Sequence, residues 1–259
     1  MVIGRVQKEA LFRLKYGFEG FSKAMGQIAS ETIKIIVKEN KDEMSTAITN
    51  LFYNLDGPTV IDRKKSVEEI HFGKIFYGFI EINNCFDNMN DILLYIRRYP
   101  YGNNASRVRY LRYNVENFFN EVYILKERLI SYATKIERAF KSTEYEKVVH
   151  EVIQPLYKVI SDTLKPIIDI RGHHVHVARY SDRGFDKLSS LELVIKTGDL
   201  PQFVDHFMRE YKTERKRWIA TLAKVTETVK YLLDVYFERL YIIVFNENEE
   251  MRYPNTKHL

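Results

Sequence analysis

Apolar positions recur with a helical period along almost the whole chain. The clearest seam runs Leu111, Val115, Phe118, Val122, Leu125, Leu129, Tyr132, Ile136, with steps alternating between four and three residues, the repeat that keeps one face of a helix apolar. It predicts one long helix over 107–140. A second seam runs Tyr211, Trp218, Leu222, Val225, Val229, Leu232, Tyr236, Ile243 and predicts another. Gly198 closes the element before it, Asp199 serves as its N-cap, and Pro201 falls in its first turn. Ser66 and Glu69 have the spacing of a capping box ahead of an apolar-rich run from Val67 to Tyr99. Thr143 and Glu146 offer a further box, opening a helix that Pro155 and Pro166 should bend or break and that should end near Ile170. From Val2 to Asn40 the pattern reads as a helix interrupted by Gly17, Gly20 and Gly26.

Strand-like alternation is absent, and the one β-flavoured run, Tyr241 to Phe245, continues a helical seam. The expected class is all-α, a bundle of long antiparallel helices. Breaks are expected at Asp56 to Lys65, Pro100 to Asn104 and Arg179 to Asp186, where turn residues separate periodic segments. The organisation that follows is an N-terminal helical segment (1–66) packed on a bundle (67–246), then a polar C-terminal tail (247–259).

Composition narrows the class. In 259 residues, 45% hydrophobic positions with 18 tyrosines and 16 phenylalanines, against 11 glycines and 6 prolines, exclude a disordered or collagen-like chain. Cys85 is the only cysteine, so neither an intrachain disulfide nor a cysteine-based zinc site is available, and a reducing compartment is favoured. No run nears the roughly 18 apolar residues of a membrane span. A cytoplasmic protein without a membrane partner is expected. The formal charge of +5 permits an anionic partner. P-loop, dinucleotide-fingerprint, nucleophile-elbow and EF-hand patterns are all missing, which argues against the chemistries they serve.

Two constellations carry candidate chemistry. Three of the seven histidines fall in Arg171-Gly172-His173-His174-Val175-His176, which holds the one R-x4-H match in the chain. A guanidinium holds phosphate oxygens, and an imidazole titrating near neutrality moves protons. Together they suffice for metal-free RNA cleavage, in which the ribose 2′-OH attacks its own phosphate. Second, between Ile92 and Val115, Arg97, Arg98, Arg107, Arg109 and Arg112 interleave with Tyr95, Tyr99, Tyr101, Tyr110 and Tyr113, with no acidic residue. Guanidiniums for phosphate and tyrosine rings for bases make this stretch, Tyr101 included, a candidate RNA track. It reads equally well as a solvated tip whose tyrosines are core or interface anchors. The basic run Arg209, Lys212, Arg215, Lys216, Arg217 contains Glu210 and Glu214 and reads as a salt-bridged exposed face. Glu116, Glu121 and Glu127 are carboxylates available to fix a functional arginine, with Glu127 the supporting candidate, and exposed i,i+4 pairing explains them equally well. His150 and His206 sit alone on helices and read as structural.

The Arg171–His176 motif, after a long helix and a proline-bearing one and before the turn Ser181-Asp182-Arg183-Gly184 and a final helix, resembles the HEPN superfamily (higher eukaryotes and prokaryotes nucleotide-binding). The similarity spans about Val67 to Phe245. It implies an all-helical, cofactor-free endoribonuclease that acts as a homodimer in a defence or toxin–antitoxin setting, with an antitoxin protein as a further partner. Arg171 would orient the scissile phosphate and His176 would transfer protons; beyond the resemblance, the cluster itself offers His173 as a further catalytic candidate and His174 in support.

Helix geometry adds a constraint of its own. Positions five apart on a regular helix lie about 140° apart around the axis. Either the helix breaks at Gly172, or two-fold pairing of chains brings two motifs together. His173 and His176 are i,i+3 neighbours, so a metal site completed by Asp182 is one alternative. A histidine cluster satisfied structurally is another. A third is an RNA- or nucleotide-binding module in which Gly172 and Ala178 mark lost chemistry, and a fourth is a structural helical interaction protein whose tyrosine-rich tip and seams are interfaces.

Overall fold

A computed structural model describes residues 16–39, 41, 66–98, 106–176, 182–198 and 201–254. Six helices lie among them: α1 (Phe18–Glu39), α2 (Val67–Arg97), α3 (Arg107–Ala139), α4 (Glu146–His176), α5 (Arg183–Gly198) and α6 (Val204–Val244). A 3₁₀ turn, Pro201–Phe203, precedes α6. The fold is an all-α helical bundle, with no strand among the described residues. None of the described helices is long and apolar enough to cross a membrane.

Periodicity explains the longest elements. All eight positions of the first seam are buried in α3, and in α6 the second seam is buried apart from the half-buried Val225. Start signals act as the spacing predicts at α2, where the Ser66 hydroxyl accepts from the Glu69 N–H (3.1 Å) and the Glu69 carboxylate accepts from the Ser66 N–H (2.9 Å). The expected Thr143–Glu146 box does not form, because α4 begins at Glu146 itself, with the Tyr145 carbonyl accepting the Val149 N–H at 2.9 Å. Glu146 takes the N–H of Ser142 (2.9 Å), a residue in the left-handed region at φ 62°, while the Thr143 hydroxyl donates to the Phe140 carbonyl (2.6 Å). The α3–α4 turn leaves Ser142, not Thr143, with the orphan donor.

Two expectations about helix breaks are corrected. Helix α1 runs through Gly20 and Gly26 without interruption, and a Cβ at Gly26 would meet nothing within 4 Å. The glycines weaken the helix, but its anchors Phe18, Phe21, Ala24 and Met25 are buried and hold it. Helix α4 contains both Pro155 and Pro166 and continues beyond Ile170 to His176. Both prolines are exposed, as are Glu151 and Asp162, whose carbonyls each proline deprives of a helical donor. Those carbonyls lie on the solvent face, where water can serve them, while Ile153, Leu156, Ile160, Leu164 and Ile167 stay buried on the other face.

The helices sort into two compact units, formed by the described parts of Met1–Phe79, Ile136–Ile153 and Leu233–Leu259, and of Ile80–Lys135 and Gln154–Leu232. The first unit is built on aromatic packing. Phe21 lies 4.7 Å from Phe237, 5.4 Å from Phe79 and 5.4 Å from Phe245 between ring centroids. The Asp234 carboxylate accepts the Phe18 N–H at 3.2 Å, placing a negative group at the start of α1. Beyond α6 the chain folds back: Phe245 forms an antiparallel bridge with Met251, and both Met251 and Pro254 are buried. The segment expected as a polar tail therefore contributes apolar surface to this unit over 247–254.

In the second unit Trp218 joins three helices. Its ring stacks on Phe185 of α5 (5.6 Å, 14°) and meets Phe119 of α3 edge-on (6.3 Å, 78°). Asp182 is the N-cap of α5: its side chain accepts the Gly184 N–H at 2.8 Å and its carbonyl accepts the Asp186 N–H at 2.9 Å.

Candidate functional site

The motif lies inside a helix. The backbone of α4 stays helical through Gly172, so of the two alternatives the break at Gly172 is excluded, and positions 171 and 176 keep the angular separation of about 140° that a regular helix imposes. Positions 173 and 176 are one turn apart. The side-chain arrangement of Arg171, His173, His174 and His176 lies outside the described residues. Asp182, the carboxylate considered as a third metal ligand, is engaged: besides capping α5, it accepts from Arg217 Nη2 at 2.6 Å. Burial alone would raise its carboxyl, but the Arg217 hydrogen bond and the Gly184 N–H outweigh that and bring it below the usual carboxylate range. Arg217 also bonds Glu214, with 2.9 Å from Nε, and its guanidinium lies over the Trp218 ring at 4.8 Å.

The basic tract divides into engaged and free arginines. Tyr101 lies outside the described residues. Arg97 ends α2 and Arg98 follows it, and Arg107, Arg109 and Arg112 open α3. The two ends adjoin, because the Tyr110 hydroxyl donates to the Tyr95 carbonyl at 3.1 Å. Arg112 reaches Ser189 (3.3 Å) and Asp186 (3.7 Å) and lies 5.3 Å over the Phe185 ring. Arg107 lies 6.0 Å from the Tyr211 ring centroid. Arg97, Arg98 and Arg109 are exposed and make no side-chain hydrogen bond or ion pair among the described residues. Exposed Tyr95 and Tyr113 stand beside them in sequence.

The basic run on α6 proves more committed than its pattern shows. Lys187 pairs with Glu210 at 2.7 Å, in keeping with a salt-bridged face. Arg215 does something else: its Nε donates to the Ile96 carbonyl at 2.8 Å and its Nη2 to the Arg97 carbonyl. It thereby caps the C-terminus of α2, where terminal carbonyls lack helical donors and the dipole favours a cation. Nothing local in the sequence announces this, since the partners are more than a hundred residues apart.

Among the glutamates, Glu127 is half-exposed and pairs with its neighbour Lys126 at 3.6 Å, and Glu121 accepts from Asn88 at 3.3 Å. His150 is held by Glu137 at 2.8 Å, consistent with a structural role. Cys85 is buried, and burial pushes its thiol up to about 11, which leaves it protonated and unreactive at neutral pH.

A cavity of about 440 Å³ opens between the start of α3 and α5, lined by Ser106, Val108, Arg109, Arg112, Tyr113, Glu116, Ser189 and Glu192. Ser106 is the N-cap of α3, accepting the Arg109 N–H at 3.2 Å and donating its hydroxyl proton to Glu192 at 2.6 Å. Sequence reading passes over Ser106, Ser189 and Glu192. The one local signal is the serine directly before the first helical arginine.

No protein-family model matches the chain, and neither a curated protein nor a solved structure shows significant similarity to it.

Proposed function

We propose that this chain is a HEPN-like RNA-binding protein whose motif helix cleaves RNA when two copies pair. The observation that carries the binding reading is the set of exposed guanidiniums of Arg97, Arg98 and Arg109, which have no side-chain partner among the described residues, at the adjoining ends of α2 and α3. Free cations at a surface with aromatic neighbours attract a phosphate backbone and stack its bases. Cleavage follows from the motif chemistry. His176 takes the proton of a ribose 2′-OH, the oxygen attacks the adjacent phosphorus, and Arg171 stabilises the phosphorane. A second histidine, His173, protonates the departing 5′-oxygen, leaving a 2′,3′-cyclic phosphate and a 5′-hydroxyl. Because α4 is unbroken at Gly172, the two motif positions converge only when another chain supplies one of them.

The same continuity favours a second reading, RNA binding without cleavage. Incubating the full chain with total RNA in EDTA separates the two. Cyclic-phosphate products that vanish in His176→Ala support cleavage, and retention without products supports binding alone. Arg97→Gln, Arg98→Gln and Arg109→Gln combined should weaken binding and flatten its salt dependence by about two in slope, given roughly 0.7 per phosphate on a single strand. Unchanged affinity in the triple variant refutes the binding surface.

A further inference from the structure

The cavity between α3 and α5 has walls of balanced charge, and that balance selects a ligand. Arg109 and Arg112 face it from α3 together with Glu116 on the same helix and Glu192 on α5. The steps 109, 112, 116 are i, i+3, i+7, so all three positions lie along one stripe of α3. Two cationic and two anionic groups disfavour a polyanion, which would meet two carboxylates, and equally a polycation. Val108 is the one aliphatic wall residue among the described residues, which disfavours an apolar ligand. What such walls complement is a molecule neutral overall that carries one charge of each sign.

The groups differ in readiness. The Arg112 guanidinium is held in place by Asp186, Ser189 and the face of Phe185, so little side-chain freedom is lost on binding. Glu192 already accepts from Ser106 and lies 3.3 Å from Lys196. Glu116 and the exposed Arg109 have no side-chain partner among the described residues, which leaves one carboxylate and one guanidinium open to a ligand. A rise of 1.5 Å per residue sets positions 112 and 116 about 6 Å apart along the axis. Two extended residues span at most about 7 Å. A volume of 440 Å³ falls within the usual range of small-molecule pockets.

We propose that this cavity binds a dipeptide-sized zwitterion, its carboxylate on the Arg109 and Arg112 guanidiniums and its ammonium on Glu116, with Tyr113 offering a ring to the ligand's side chain. This site is independent of the RNA reading, although Arg109 borders both surfaces. Glu116 belongs only to the cavity, so its variant tests the one without the other.

The test is calorimetric titration of the full chain with glycyl-L-phenylalanine, with its N-acetylated form lacking the ammonium, and with its C-terminal amide lacking the carboxylate. Saturable binding of the free dipeptide is expected, with each blocked form weaker by about tenfold or more, since an unpaired charged group in the site carries that cost. Glu116→Gln, checked for folding by circular dichroism, should bind the free and acetylated forms alike. Arg109→Gln should narrow the preference for a free carboxylate, with Arg112 retaining part of it. Absence of binding, equal binding of free and blocked forms by the unmodified chain, or preference for adenosine monophosphate over the dipeptide would each overturn the proposal.

Discussion

Replacing His71 by leucine should flatten the acid limb of the protein's stability curve. His71 is 5% exposed and packs edge-on to Phe140 (6.1 Å) and Tyr253 (5.7 Å). Burial first, then the nearby Lys74 charge, pulls its imidazole down to about 4, against about 6.5 in an unfolded chain. Between those two values the unfolded chain binds a proton that the folded one refuses, so stability rises with pH across that window. The contribution is fully present above pH 6.5, shrinks on acidification, and its loss is complete near pH 4. At 1.36 kcal/mol per pH unit the ceiling is about 3 kcal/mol, and residual solvent screening brings a working figure of about 2 kcal/mol. For 259 residues, an unfolding entropy of roughly 2.1 cal/mol/K per residue converts this into about 4 °C of melting temperature. Thermal melts of the parent and His71→Leu chains at pH 7 and pH 4 supply the difference, in which the carboxylates common to both cancel. Parallel pH dependences in the two chains would refute the buried neutral imidazole.

Other substitutions test the caps. Ser66→Ala should cost about 1 kcal/mol in denaturant unfolding, and Ser66→Ala with Glu69→Ala should lose less than the sum of the single changes, because each removes half of one reciprocal pair. Arg215→Ala leaves the Ile96 and Arg97 carbonyls without their donor and should cost about 1–2 kcal/mol, with Arg215→Lys recovering only part because one ammonium cannot reproduce the two-pronged contact. Asp182→Ala removes both the cap of α5 and a partner of Arg217. It should cost about 1–2 kcal/mol at neutral pH, and because the folded carboxyl sits low, the gap to the parent should close as pH falls through the carboxylate range.

The helical seams were legible because burial in a bundle imposes a single period, which Leu111 to Ile136 obeys without a slip. The Ser66–Glu69 box was legible because its partners lie three residues apart. What escaped reading depended on partners distant in sequence. Whether Pro155 and Pro166 stop a helix depends on the face they occupy, and both fall on the wet one. Which arginines stay open to a ligand depends on where the fold brings carboxylates and carbonyls: Arg112 meets Asp186 of α5 and Arg215 of α6 meets the carbonyls that end α2, whereas Arg97, Arg98 and Arg109 meet no such partner among the described residues. The cavity draws its second wall from Ser189 and Glu192, some eighty residues from Ser106, so charge pattern alone did not reveal it.

The uninterrupted passage of α4 through Gly172 makes the proposed nuclease a bimolecular machine. Specific activity should then fall on dilution, and two dead variants should revive one another. Arg171→Ala mixed with His176→Ala lets random exchange form heterodimers with one doubly damaged cleft and one intact, restoring about a quarter of the parental turnover.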